Sequence, residues 1–144
     1  MKPFIVLIPG MMCNRDVFHN QINTLEKIFN VIVKEFNEHR DIELGVKDLA
    51  STLPNQFHLL GHSMGGIVAM EFVKQHSKRV LSLTLLNTNP YEEKEEQKDR
   101  RNKTLKELDG LDLISLMRSD YIPRYFPDKC LSLIHISEPT RQPC

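Results

Sequence analysis

FHLLGHSMGGIVAMEFV, residues 57–73, decides how the rest of the chain is read. Residues 57–60 form an apolar run of strand length, and residues 67–73 continue a helix that begins near Ser63. Between them lies Gly61-His62-Ser63-Met64-Gly65, followed by Gly66. A serine between two glycines, where a strand passes into a helix, sits on a tight, strained turn. Its hydroxyl is pushed above the end of the sheet. Gly61 and Gly65 bring no side chains, so neighbouring backbones can approach closely. A helix starting at the serine sets its positive end under an oxyanion forming there. Glycine and serine are each about 7% of residues, so the bare pattern turns up in roughly 5% of chains of this length. The weight therefore rests on the strand before it, the helix after it and Gly66. The competing account is a serine that merely caps a helix at a glycine turn.

Upstream, Phe4–Ile8 is a continuous β-branched and aliphatic run stopped by Pro9-Gly10, as expected of a strand buried on both faces. In Ile8-Pro9-Gly10-Met11-Met12, Gly10 permits a sharp turn that aims the Met11 N–H at the space above Ser63. The Met64 N–H, directly after the serine, is the second expected oxyanion donor. An ordinary strand-to-helix turn would also explain Pro9-Gly10.

Further outward, Asn14 can cap a helix reaching about Phe29, with Val17, Phe18, Ile22 and Leu25 on its inner face. Residues 31–33 read as a second strand. Residues 41–53 carry Ile42, Val46, Leu49 and Leu53 at helical spacing and stop at Pro54. Residues 81–86 read as a fourth strand. Strands alternating with helices predict an α/β fold: a parallel sheet of about four strands with helices on both faces. Residues 91–108 change character, with Glu92, Glu93, Glu95 and Glu96 preceding Lys98, Arg100, Arg101, Lys103 and Lys106. That order suits a helix dipole, either as a solvated helix or as the first helix of a lid.

The blocks IVLIPGMMCNRDVFHNQI, FHLLGHSMGGIVAMEFV and RVLSLTLLNTNP resemble, in order, those of the α/β-hydrolase superfamily, and of its small, lidded carboxylesterase-like members in particular. The resemblance implies that the four strands are the third to sixth of an eight-stranded sheet and that the chain is a truncated version of the fold. Residues 1–90 would be the partial core and residues 91–130 the start of a helical lid. It also implies acyl transfer through a covalent intermediate on Ser63, with no metal and no organic cofactor. The partner expected is a small-molecule acyl ester or thioester. Acyl transfer to an acceptor other than water, or a binding module that lost its triad, would use the same scaffold. Most relatives have His-Gly where this chain has Pro9-Gly10. Met12, Phe18 and Tyr91, with Met11 and Met64, either line an apolar acyl pocket or simply pack beneath the lid.

The acid and histidine of the triad follow the lid in this superfamily, and no residue of the chain takes their place. His62 lies inside the elbow, His58 below the catalytic end, His19 and His76 on helix surfaces, and His39 in a loop. The fourth strand ends Asn87-Thr88-Asn89, which offers no carboxylate. The 144-residue chain is therefore expected to be inactive by itself. Its tail, LSLIHISEPTR at 131–141, resembles a translation of the transposon-end adapter used in preparing sequencing libraries. Residues 131–144 are expected to be adapter-derived, with natural sequence ending at or near Cys130.

Composition excludes other classes. With 19 basic and 19 acidic residues the formal net charge is +0, without the basic excess of a nucleic-acid binder. No signal-peptide pattern or membrane-spanning stretch is visible. Cys13, Cys130 and Cys144 fit free thiols of a cytoplasmic protein rather than a disulfide or zinc framework. Oligomeric state is left open.

Overall fold

The computed structural model describes residues 1–36, 41–108, 113–116, 118–119 and 122. The chain divides into two units, Met1–Tyr91 and Glu92–Cys144. In the first, strands β1 (Phe4–Ile8), β2 (Asn30–Val33), β3 (Phe57–His62) and β4 (Val80–Leu86) form one sheet in the order β2-β1-β3-β4. All three pairings are parallel. Helices α1 (His19–Leu25), α2 (Ile42–Thr52) and α3 (Met64–His76) supply the crossovers.

The alternation of side chains along β1 divides the core. Val6 and Ile8 point into a cluster with Phe57 and Leu59, with Val46 and Leu49 of α2, and with Val68 and Phe72 of α3. Ile5 and Leu7 join Phe18 and Ile22 on the other face. Because β1 is central, both its faces are covered and the strand has no polar side. Each fully buried aliphatic or aromatic side chain here stabilises the fold by about 1.5–3 kcal/mol.

Two sequence expectations shift. The Asn14 side chain does accept from the Asp16 N–H, but the turn it caps, Arg15–Phe18, is 3-10, and the α-helix proper begins at His19 and ends at Leu25. The tighter turn changes the helical phase. Phe18 and Ile22 stay buried, while Val17 turns outward, 42% exposed. His76 is half-buried rather than wholly on the helix surface: its ring lies tilted against Phe72 at 5.0 Å and its Nε2 is buried.

Arg79 fastens α2 to the start of β4. Its guanidinium donates to the carbonyls of Ala50, Leu53 and Pro54 at 2.8–2.9 Å, satisfying the C-terminal end of α2. It also lies over the rings of Phe57 and Phe72. β4 is exposed along nearly its whole length, and Leu81, Leu83, Leu85 and Leu86 are all exposed. In the second unit, α4 (Glu95–Leu108) follows the predicted charge gradient, with Glu95 and Glu96 in its first turn and Lys106 in its last. A short α5 (Leu113–Leu116) follows. His39, Cys130, His135 and residues 131–144 lie outside the described residues.

Candidate active site at the C-terminal edge of the sheet

Among the described residues, three non-glycine residues have a positive φ: Met12 at 61°, Ser63 at 53° and Asn87 at 46°. They follow β1, β3 and β4, three neighbouring strands, at the same edge of the sheet. Left-handed backbone at a residue with a side chain costs about 1–3 kcal/mol and collects where function holds it. The edge is therefore marked by strain as well as by motif.

Ser63 has φ 53° and ψ −120°, between the last residue of β3 and the first of α3. Its N–H donates to the Leu86 carbonyl at 2.9 Å, which extends the β3–β4 ladder through the turn. Its carbonyl accepts from the Gly66 N–H at 2.9 Å, which starts the helix. Its side chain makes no capping bond, so the serine is not spent as a helix cap. Tight packing fixes the glycine spacing. A Cβ on Gly65 would lie 2.1 Å from the Ile8 carbonyl oxygen, and one on Gly61 would lie 2.3 Å from the Gly65 oxygen. Helix α3 can thus start against the end of β1 only with glycine at position 65.

The loop after β1 lies directly against the elbow. A Cβ on Gly10 would come 3.1 Å from the Ser63 Cβ. The Cys13 N–H donates to the Gly10 carbonyl at 3.1 Å, closing a turn with Met11 and Met12 at its tip. Both methionines are exposed. Met64 is partly buried and packs against the α2–α3 side of the core. Phe18 is buried, with its ring edge towards His62 at 6.4 Å. Phe18 also lines an open apolar groove of about 400 Å³ with Leu7, Leu25 and Leu60, and Ser63 is not among the lining residues. Tyr91 is 82% exposed, and its N–H donates to the Asn89 side chain.

Among the described residues no hydrogen bond joins Ser63 to an imidazole. His58 pairs with Ser82 at 2.8 Å and lies edge-on to Phe29, lower in the sheet. His19 is exposed at the start of α1. No group of three His, Cys, Asp or Glu side chains is placed to hold a metal among the described residues. The shifted titrations lie on the outer face of α3. The Gln75 amide and Lys74 ammonium hold the Glu71 carboxyl below its usual value, and Glu71 raises Lys74.

The sequence reading took Asn87 and Thr88 only as the end of the fourth strand that offers no carboxylate. Asn87 directly follows Leu86, whose carbonyl accepts from the Ser63 N–H, and Thr88 packs where a Cβ on Gly66 would fall, 2.5 Å from its own Cβ. The available signal was an asparagine directly after a strand, a residue that tolerates left-handed backbone.

The match to the alpha/beta hydrolase fold family spans residues 45–113, which includes the elbow. A pimeloyl-[acyl-carrier protein] methyl ester esterase of Aeromonas hydrophila subsp. hydrophila is 29% identical over 98 residues, covering 61% of this chain and 39% of the esterase. A hydrolase from Pseudomonas aeruginosa PA01 superposes with a TM-score of 0.75 at 20% identity, over 96% of this chain and 55% of its own. A carboxylesterase structure from Nitrososphaera gargenis gives 0.74 at 22% identity, over 89% of this chain and 54% of its own. The chain thus spans between 39% and 55% of the length of these relatives. The parallel sheet and these superpositions show the α/β-hydrolase fold, and the family match falls on the stretch that carries the elbow.

Proposed function

We propose that these residues form the nucleophile-bearing half of a serine hydrolase that cleaves a carboxylic ester or thioester through an acyl-enzyme on Ser63. The observation that carries this reading is the serine held at φ 53° with no capping bond, against the Gly10 loop. In the reaction, the Ser63 Oγ attacks the acyl carbonyl carbon and loses its proton to a general base. The Met11 and Met64 N–H groups receive the developing oxyanion. The alcohol or thiol then leaves, and water releases the acid from Ser63. Residues 91–130 begin a helical lid, and Met12 and Tyr91 contribute to an acyl pocket. The relatives named as esterases favour an ester over an amide substrate. Among the described residues no imidazole is hydrogen-bonded to Ser63, and the 144 residues alone are expected not to turn over esters. Free Cys13 suits a reducing cytoplasmic compartment.

The test is hydrolysis of activated short-chain esters by the complete enzyme and its Ser63→Ala variant. A fall in kcat of about 10⁴-fold or more, with the circular dichroism spectrum unchanged, is expected. Undiminished activity would remove Ser63 from the mechanism.

A further inference from the structure

We propose that His62 positions the oxyanion loop, a role that rests on the assignment of Ser63 as nucleophile. The imidazole and the nucleophile flank Gly10. A Cβ on Gly10 would lie 3.3 Å from the His62 Nδ1 and 3.1 Å from the Ser63 Cβ. On its other side the imidazole meets Phe18, centroids 6.4 Å apart at 83°, and Phe18 is only 3% exposed. The ring is thus wedged between a fixed core residue and the loop that carries Met11.

The wedge has a polar point. Nδ1 of His62 is shut off from solvent and has no hydrogen-bond partner among the described residues. A buried polar atom left unpaired costs about 1–3 kcal/mol, which a fold tolerates where the group has work to do. The loop beside it is itself strained, with Met12 at φ 61°. When a substrate carbonyl draws the Met11 N–H towards the oxyanion, the loop settles against His62, and Nδ1 accepts a backbone N–H from it. This requires the neutral tautomer with its proton on Nε2. Histidine at the elbow therefore does more than fill space: it sets the height of the loop over Ser63.

Two substitutions separate ring from nitrogen. His62→Phe keeps the packing on Phe18 and loses the acceptor. His62→Asn keeps a polar atom near the Nδ1 position and loses the ring. In the complete enzyme, His62→Phe is expected to lower kcat by about 10–100-fold, a fraction of the loss on removing an oxyanion donor. KM should stay within about two-fold, since ground-state binding is not involved. Affinity for a boronic-acid or aldehyde analogue should fall in proportion to kcat. His62→Asn should recover most of that loss. In the wild type, ¹⁵N NMR should show His62 Nδ1 unprotonated. Wild-type kcat in His62→Phe, or a protonated Nδ1, would overturn the role. So would losses in kcat and KM that follow the melting temperature in both variants. Activity that vanishes in Ser63→Ala but is undiminished in His62→Phe overturns the His62 role alone; activity undiminished in Ser63→Ala overturns both.

Discussion

At the scale of single residues, backbone strain and close approach explain the site better than side-chain chemistry does. Gly65 can be nothing larger, because a Cβ would fall 2.1 Å from the Ile8 oxygen, which is backbone and cannot move aside. Gly65→Ala is expected to destabilise the chain by about 4 kcal/mol or more, as read from urea denaturation; a loss under about 1 kcal/mol would mean that α3 can retreat from β1. Met12 gives the opposite expectation. Its φ of 61° strains a side-chain-bearing residue, so Met12→Gly should be neutral or stabilising by up to about 1 kcal/mol in the same assay. A marked destabilisation would show that the Met12 side chain holds the loop by packing. The glycines and the serine were legible in the sequence because their spacing is itself the constraint. Asn87 was not, because an asparagine after a strand fits many turns and only its positive φ next to Leu86, the partner of Ser63, makes it informative. Phe18 was legible as apolar and inward, but its contact with His62 depends on the 3-10 turn before α1.

At the scale of elements, continuous apolar runs gave the four strands within a residue or two, and helical spacing gave α2 and α3. Central β1 was the clearest, since burial on both faces leaves no polar position to confuse its pattern. α1 was overextended in the reading from sequence. Periodicity could not show that the chain leaves the α-helix at Leu25, where the Glu26, Ile28 and Phe29 N–H groups turn back onto the Ile22 and Leu25 carbonyls. Arg79 was overlooked because a basic residue before a strand looks solvated. Its three carbonyl bonds cap α2 from outside that helix. Arg79→Met keeps much of the stem packing and removes the donors, and is expected to destabilise the chain by about 2–3 kcal/mol in urea. An unchanged midpoint would mean that water satisfies those carbonyls equally well. Glu71 contributes a smaller, pH-dependent part. Its carboxyl is held below the usual value, so its contribution is present at neutral pH and is lost as pH falls through the lowered pKa.

At the scale of the whole molecule, central β1 is covered on both faces while β4, an edge of the sheet, is exposed. An exposed strand with Leu81, Leu83, Leu85 and Leu86 uncovered invites pairing with another chain. The 144-residue polypeptide is therefore expected to show concentration-dependent assembly in size-exclusion chromatography, reduced by a lysine at Leu83; a monomer at all concentrations would contradict this. The adapter origin of residues 131–144 is an expectation read from the sequence string alone. Independent sequencing without transposase tagging should show different codons after Cys130, and recovery of LSLIHISEPTR would make the tail genuine. The central claim is that the strained serine of the elbow is the nucleophile. Its most direct measurement is mass spectrometry of the complete enzyme after reaction with a fluorophosphonate. The adduct is expected on the peptide carrying Gly61 to Gly66, at Ser63, and is expected to be absent from Ser63→Ala. An adduct on another residue, or equal labelling of the Ser63→Ala protein, would contradict the account.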